Sequence, residues 1–191
     1  MPKQKVSDKF IIKQSLLVFR KKGFYNTSMA DIAEACGLLK GSLYHYFKSK
    51  EDLMKAVIDY MHNYYTREIF ALAYDEQLGM RQKLKMLADA SENQFFASES
   101  GCLFGNLALE TSGNIPEFSE LVKLFFTEWM KAMEHIYAEK YPPEKARILA
   151  QDCVARVEGA VMMMRLFNDK EYLRRAHQEI MNQLEQATQT T

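Results

Sequence analysis

Apolar residues recur every three or four positions through most of the chain, which places them on one face of an α-helix. This repeat is seldom interrupted, because only 8 Gly and 4 Pro occur among the 191 residues. No stretch alternates apolar and polar residues for long enough to build a β-sheet. Apolar residues make up 48% of the composition, which is enough for a core. The sequence therefore predicts an all-α fold, with about nine helices.

The net charge of zero hides an uneven distribution of charge along the chain. Residues 1–55 carry 11 Lys and Arg against 5 Asp and Glu, whereas residues 56–191 carry 14 basic and 20 acidic groups. A basic beginning and an acidic remainder indicate that only the first part faces a polyanion. A solvated basic surface without a partner is the alternative.

Composition and spacing disfavour several classes of protein. The three cysteines, Cys36, Cys102 and Cys153, form no C-x-x-C pair, which indicates a reducing cytoplasm and neither a disulfide framework nor a zinc site. No apolar segment is long enough to cross a membrane. The histidines are scattered, and no phosphate-binding Gly loop is present. We therefore expect a cytoplasmic protein that is not an enzyme and has no metal, cofactor or membrane partner.

Two short helices separated by Gly37 predict a helix-turn-helix. Ser28 and Asp31 can form a capping box at the start of the first helix. Gly37 tolerates the positive φ that a tight turn needs. The second helix, predicted at residues 40–46, would lie in the DNA major groove.

The second of these helices divides its residues between protein core and DNA. Leu43 would face the core, and Lys40 and Tyr44 would point outward together. The small Gly41 and Ser42 would let the backbone approach the bases. For Tyr44 and Tyr46 ordinary aromatic packing is the alternative, and His45 is as readily a solvent-facing bystander. The residues predicted to bind DNA are Thr27, Ser28, Lys40, Gly41, Ser42, Tyr44, His45, Tyr46 and Lys50.

The run T-S-M-A-D-I-A-E-A-C-G-L-L-K-G-S-L-Y-H-Y-F-K-S-K-E-D-L, residues 27–53, resembles the DNA-binding signature of the tetracycline-repressor (TetR) family. The preceding F-R-K-K-G-F, residues 19–24, is similar to the end of that family's first helix. The stretch G-C-L-F-G-N-L-A-L-E, residues 101–110, is similar to the start of helix 6 in some members. The resemblance implies a three-helix DNA-binding domain at residues 1–50 and a larger helical ligand-binding and dimerisation domain at residues 51–191.

The resemblance also implies roles for matching positions. Lys40, Gly41 and Ser42 would approach bases, whereas Ser28, Tyr44, Tyr46 and Lys50 would lie at the phosphate backbone. Members vary widely at the position of Lys40, so a base preference does not carry over from the family. A lysine can pair with O6 and N7 of guanine, which makes Lys40 the first residue to test.

The second part of the chain holds most of the aromatic residues and methionines, which suit a pocket for a small apolar or aromatic molecule. Plain core packing is the alternative for each of these residues. The predicted ligand-binding residues are Met61, Tyr65, Phe95, Phe104, Phe125, Trp129 and Met163.

The predicted dimer interface consists of helices 8 and 9. Helix 8 is predicted from Pro142 and Pro143 to about Phe167, and helix 9 from Asp169 to near Ala187. Apolar stripes run along both, including Cys153 and Val157 on helix 8 and Leu173 and Ile180 on helix 9. Two such helices from each subunit could form a four-helix bundle, although packing within one chain explains the stripes equally well. A two-fold homodimer would match a palindromic operator on double-stranded DNA.

These features predict a ligand-responsive transcriptional regulator that a small effector releases from its operator. Most of the family represses, and activation is left open. One alternative is a redox- or electrophile-sensing regulator acting through Cys102, which stands at a predicted helix N-terminus where the helix dipole favours a thiolate. The other is a helical lipid- or small-molecule-binding module without DNA binding.

Overall fold

The computed structural model describes residues 7–97, 100–111 and 113–186, with the backbone alone for residues 184–186. Within these ranges the chain forms nine α-helices and no β-strand, which confirms the predicted all-α fold. No helix in the described ranges is long and apolar enough to cross a membrane. The helices are α1 (Asp8–Lys22), α2 (Met29–Ala35), α3 (Lys40–Leu43), α4 (Lys50–Tyr64), α5 (Met80–Phe96), α6 (Leu103–Thr111), α7 (Pro116–Ala138), α8 (Pro143–Phe167) and α9 (Glu171–Gln186).

The first helices begin and end where local chemistry predicts. The Ser7 hydroxyl accepts a hydrogen bond from the Phe10 amide at 3.2 Å and caps α1. At α2 the capping box is complete: the Asp31 amide donates to the Ser28 hydroxyl at 3.2 Å, and the Ser28 amide donates to the Asp31 carboxylate at 2.7 Å. Gly37 has a φ of +64°, so the turn between α2 and α3 uses the conformation that glycine permits.

The prediction for the end of the third helix was wrong. Regular α-helix stops at Leu43 instead of Tyr46. The chain continues as a tighter turn, in which the His45 amide donates to the Ser42 carbonyl at 3.2 Å and the Tyr46 amide to the Leu43 carbonyl at 3.0 Å. Such three-residue bonds are a common way for a short helix to end.

Apolar residues at helical spacing predict a fourth helix from Ser49 to about Tyr74. The chain is helical as far as Tyr74, but it does not form one regular α-helix. After Tyr64 the backbone forms a π-helical turn, Tyr65–Ile69, and then a 3-10 segment, Phe70–Tyr74. The rings of Tyr65 and Phe70 both pack on Phe125, with centroid distances of 5.1 and 5.6 Å. In a regular helix residues five apart point about 140° away from each other. The wider π turn brings both rings to the same side, so tertiary packing overrides the regular helix here.

The helices form two compact units. The first runs through Asn63 and also includes Leu103–Val122, and the second comprises Tyr64–Cys102 and the chain from Lys123 onward. The predicted domain boundary at residues 50 and 51 stays a prediction, whereas the first unit as folded also takes in most of α4, all of α6 and the start of α7. Fully buried side chains of the first unit include Ile11, Ile32, Leu43, Leu53, Phe104 and Phe118, and those of the second include Phe125, Ile136 and Leu173.

Candidate DNA-reading helix and ligand cavity

Helix α3 packs against the first unit with one side and exposes the other side to solvent. Leu43 is completely buried in the first unit, where it fixes the helix against its neighbours. Lys40, Gly41, Tyr44 and His45 are exposed. Apart from its chain neighbours and the backbone of its own helix, no described residue has an atom within 4 Å of the position a Cβ would take on Gly41, so the backbone at this point is open to an approaching surface. Ser42 and Tyr46 are half-buried beside them.

Three of the predicted DNA-binding residues also hold the protein itself together. Thr27 is buried, and its hydroxyl donates to the Gly23 carbonyl at 2.6 Å. The exposed Ser28 caps α2. The Lys50 ammonium donates to the Phe24 carbonyl at 2.8 Å and lies 4.3 Å from the centroid of the Phe24 ring. The hydroxyl of Thr27 and the ammonium of Lys50 are therefore engaged at the α1–α2 turn, and their contacts with DNA stay predictions.

The sequence did not single out Glu110, which completes the same turn from α6. Its carboxylate accepts a hydrogen bond from the Phe24 amide at 2.7 Å. Gly23, with a φ of +78°, makes room for it, because a Cβ there would lie 2.6 Å from the nearer Glu110 oxygen. The stretch from Gly101 that resembles helix 6 ends at Glu110, and this was the one available signal.

A second residue missed by the sequence reading is Leu39, immediately before Lys40. It occupies the N-cap position of α3 without any capping hydrogen bond, and its side chain is 80% exposed. Its signal was available: an apolar residue stands where Ser, Thr, Asp or Asn normally caps a helix.

The second unit encloses an apolar cavity of about 50 Å³. Five aromatic residues supply much of its wall, and several of their rings pack against each other, with 5.1 Å between the centroids of Tyr65 and Phe125 and 6.2 Å between those of Phe125 and Trp129. The lining residues are Tyr65, Ile69, Phe70, Leu84, Leu87, Ala88, Ser91, Phe95, Cys102, Phe125, Trp129, Met133, Cys153, Val157, His177, Ile180 and Met181.

Four of the seven predicted ligand-binding residues lie in this lining, namely Tyr65, Phe95, Phe125 and Trp129. Met61 and Phe104 are instead buried in the first unit, and Met163 is half-buried on α8 outside the lining. Helix α5 borders the cavity with residues that recur every three or four positions, namely Leu84, Leu87, Ser91 and Phe95. The sequence offered no signal for His177 or Cys153, because their neighbours in the lining come from distant segments.

The few polar groups at the cavity differ in how they are satisfied. The Ser91 hydroxyl oxygen is buried and has no hydrogen-bond partner among the described residues. His177 is buried, and its Nδ1 lies 2.9 Å from a carboxylate oxygen of Glu92. The Cys153 thiol is a hydrogen-bond partner of the Tyr137 hydroxyl, and burial raises the pKa of Cys153 to about 12.

Cys102 also lines the cavity and is hydrogen-bonded to Glu158 on α8. Burial raises the pKa of the Glu158 carboxyl to about 7, and one of its oxygens is buried with no hydrogen-bond partner in the described part of the chain. A carboxylate beside a thiol opposes formation of the thiolate, which is the form that reacts with electrophiles. In the described parts of the chain no group of three or more His, Cys, Asp or Glu is arranged to hold a metal ion.

Two segments of this chain match known protein families. Residues 11–57 match the family described as bacterial regulatory proteins, tetR family, and residues 79–179 match the C-terminal domain of transcriptional regulators like LmrA and YxaF. The HTH-type transcriptional repressor DhaR of Mycobacterium sp. strain GP1 is 25% identical over 178 residues, covering 85% of this chain and 84% of DhaR. The HTH-type transcriptional repressor KstR2 of Rhodococcus jostii is 32% identical over 124 residues, covering 61% of this chain and 58% of KstR2.

Solved structures show the same fold. The crystal structure of a TetR transcriptional regulator from Legionella pneumophila superposes with a TM-score of 0.85 at 24% identity, covering 93% of this chain and 97% of that one. The reduced form of NemR from Escherichia coli gives a TM-score of 0.77 at 19% identity, with coverage of 92% and 95%. The family consists of DNA-binding transcriptional regulators and not of enzymes. Since family matches cover both the helix-turn-helix and more than half of the chain beyond it, this chain belongs to the tetR family of bacterial regulatory proteins.

Proposed function

We propose that this chain is a transcriptional repressor that binds a palindromic operator as a homodimer and leaves it when a small apolar or aromatic effector binds. One observation carries the proposal: the same chain has an exposed reading helix in one unit and an aromatic-walled cavity in the other. Two relatives, DhaR and KstR2, are named as repressors, which supports repression. Because its target is chromosomal DNA, the protein would work in the cytoplasm.

The DNA contacts fall into two groups. Lys40, Gly41 and Ser42 at the start of α3 would meet base edges in the major groove. Tyr44, His45 and Tyr46, at the end of α3 and in the turn after it, carry groups that can donate hydrogen bonds to phosphates. Contacts with phosphate release counterions, so affinity should fall steeply as salt rises.

Chain continuity provides a route from cavity to DNA. Helix α4 begins directly after the reading helix and its turn and leads into Tyr65, which lines the cavity. Helix α6 begins directly after Cys102, another lining residue, and carries Glu110, which holds the α1–α2 turn. An effector that displaces Tyr65 or Cys102 would therefore shift α4 and α6 of the first unit. In a dimer this would change the distance between the two α3 helices.

Helix α8 supports dimerisation with an apolar face that is left exposed. Ile148, Met162 and Leu166 on that face are 47%, 58% and 71% exposed. Gly159 lies between them and has open space beside it, which would let a partner helix approach closely.

The stripes predicted from sequence pack within the unit instead, since Cys153, Val157, Leu173 and Ile180 are buried. The outward face of α9 is polar, so α8 would supply the apolar part of an interface formed by both helices. The outward residues of α9 include Arg174, Arg175, Gln178 and Glu179.

Sensing through a reactive Cys102 is the weaker alternative. The thiol lines the cavity, which favours it, but Glu158 opposes the thiolate. If the effector acts by occupying the cavity, Cys102→Ser should keep the response to it. Loss of the response in Cys102→Ser, together with an unchanged response in Cys153→Ser, would favour the thiol mechanism.

Selection of bound sequences from random DNA, followed by fluorescence anisotropy across a salt series, tests DNA recognition. We expect a palindrome with half-sites about 34–36 Å apart and an affinity that falls with salt. If the purified protein binds no duplex even at low salt, the chain is a helical ligand-binding module and the proposal is wrong.

Calorimetry tests the coupling between the two sites. Ligand should bind more weakly to the operator complex than to free protein, by the same factor by which ligand weakens operator binding. Equal ligand affinities with and without operator would contradict release by an effector.

A further inference from the structure

Ser91 stands out among the residues of the cavity because its hydroxyl is unused. A helical serine or threonine commonly donates to the carbonyl four residues earlier, as Ser15 does to Ile11 and Thr111 does to Leu107, each at 2.7 Å. Ser91 as a residue is only half-buried, but its hydroxyl oxygen is buried and makes no such bond to the described residues. A buried polar group without a partner is costly, and folded proteins usually satisfy it. A ligand in the cavity would supply the missing partner.

His177 adds a second polar group with a defined direction. The carboxylate of Glu92 accepts hydrogen bonds and cannot donate them, so the nearby Nδ1 of His177 carries the hydrogen. In the neutral ring Nε2 is then an acceptor, and no further hydrogen bond of this ring occurs among the described residues. With the ring neutral, the residues that line the cavity offer a hydroxyl that can donate or accept and a ring nitrogen that accepts.

The uncharged lining and the small volume of the cavity further limit the kinds of ligand that can bind. None of the described residues that line the cavity is Asp, Glu, Lys or Arg, so a charged ligand would lose its hydration without gaining a counter-ion. The rest of the lining is mainly apolar and includes five aromatic residues. Since one water needs roughly 10–15 Å³ of such space, a cavity of about 50 Å³ suits a small molecule.

We infer that the effector is a small, neutral, one-ring molecule with a hydroxyl group, which donates to His177 Nε2 and accepts from Ser91. A hydroxyl is the simplest group that satisfies both partners at once. The ring fills the space between Phe95, Phe125 and Trp129 through apolar and aromatic contacts. This inference rests on the proposed function, because it names the chemistry of the effector.

Calorimetric titration of the full-length protein with phenol, toluene and benzoate tests the inference. The three probes share one ring and differ in whether they carry a hydroxyl, a methyl or a charged group. We expect phenol to bind about tenfold more tightly than toluene, which is the value of one good hydrogen bond, and benzoate to bind more weakly than either. Equal affinities for phenol and toluene, or benzoate binding as tightly as phenol, would overturn it.

Two variants separate the hydroxyl contact from general packing. Ser91→Ala should remove most of phenol's advantage and leave toluene binding unchanged. Val157→Ala enlarges the same cavity without touching a polar group, so it should change the affinities of phenol and toluene together. An unchanged phenol-to-toluene ratio in Ser91→Ala contradicts the inference.

An operator-release assay keeps this inference distinct from the proposed function. Tight binding of phenol with no effect on DNA binding would refute effector release and leave the ligand chemistry intact. Release of the operator by toluene and phenol at equal concentrations would refute the ligand chemistry and leave effector release intact.

A second inference rests independently on Leu39. Leu39 neither caps α3 nor packs in the core. It makes no capping hydrogen bond, and its side chain is 80% exposed. Ser7 and Ser28 perform the capping role at α1 and α2. Leu39 directly precedes Lys40, at the end of the helix that meets the bases. An apolar side chain at that end suits contact with the C5-methyl group of thymine. We propose that Leu39 reads a thymine in each operator half-site.

Replacing single thymines of the selected operator by deoxyuridine tests this proposal, because it removes only the methyl group. The wild-type protein should lose about fourfold in affinity at one position of each half-site, which corresponds to one buried methyl group. Leu39→Ser should not respond to the replacement, whereas Lys40→Ala should retain the response. Equal affinity of the wild-type protein for thymine and deoxyuridine at every position would overturn the proposal.

Discussion

At the scale of single residues, Gly23 has a backbone conformation that other residues avoid. Its φ of +78° and ψ of +170° lie in a region that is almost exclusive to glycine. We expect Gly23→Ala to lower the free energy of unfolding by about 2 kcal/mol, through backbone strain and displacement of the Glu110 carboxylate. Urea denaturation measures this. Gly41→Ala is the matched control, since Gly41 is helical with open space around it and should not be destabilised. Equal stabilities of the two variants would contradict the prediction.

Glu158 predicts a pH dependence of stability with a definite sign. Burial raises the pKa of this carboxyl from 4.5 to about 7, so the folded protein holds the proton after the unfolded chain has lost it. The contribution of Glu158 to the free energy of unfolding therefore falls between about pH 4.5 and pH 7 and stays low above that. Relative to Glu158→Gln, the wild-type protein should lose up to about 3 kcal/mol across this window. Urea denaturation at pH 5, 6, 7 and 8 checks this, and parallel pH profiles of the two proteins would contradict it.

At the scale of elements, the reading helix α3 is only four residues long and depends on Leu43 for its position. Its exposed Lys40 can therefore be changed without disturbing the core. We expect Lys40→Ala to weaken operator binding by about ten- to a hundredfold and to relax the preference at one base pair of each half-site. Lys48→Ala, which removes an exposed lysine outside α3, should instead weaken binding to all sequences alike. Anisotropy with operator variants distinguishes the two patterns, and an unchanged preference in Lys40→Ala would contradict base reading by this residue.

The π turn shows where periodicity stops being informative. Apolar residues continue at helical spacing from α4 through Ile69, so the sequence predicts one helix. The backbone instead widens so that Tyr65 and Phe70 can both contact Phe125, more than 50 residues away in the chain. Periodicity records which residues avoid water and not which neighbours they meet.

At the scale of the whole molecule, the proposed dimer depends on the exposed apolar face of α8. A glutamate in place of Met162 would put two unpaired charges into a two-fold interface, so we expect Met162→Glu to be monomeric. Light scattering after gel filtration gives the mass, and circular dichroism verifies that the helices remain. Leu124→Glu is a matched control, because Leu124 is a 46% exposed apolar residue on α7. A dimeric Met162→Glu variant would contradict the proposed interface.

Local chemistry was sufficient to predict the helices, their caps and the turn at Gly37. Ser7, Ser28 and Gly37 act on atoms a few residues away, so their effects can be worked out from the chain alone. The helix-turn-helix could also be predicted from the sequence, because its residues form one continuous run that resembles a family signature.

Tertiary structure alone decided which apolar faces enclose empty space and which fill a core. Met61, Phe104, Tyr65 and Phe95 are all large residues with mostly apolar side chains. Met61 and Phe104 are buried in the first unit, whereas Tyr65 and Phe95 line the cavity. The same holds for Lys50, whose ammonium lies on Phe24 because α4 and the α1–α2 turn meet. The sequence by itself determined that the chain is helical and which residues avoid water, because these properties arise from short-range bonds and from the apolar pattern. It could not determine the partners of each face, because those depend on contacts between residues far apart in the chain.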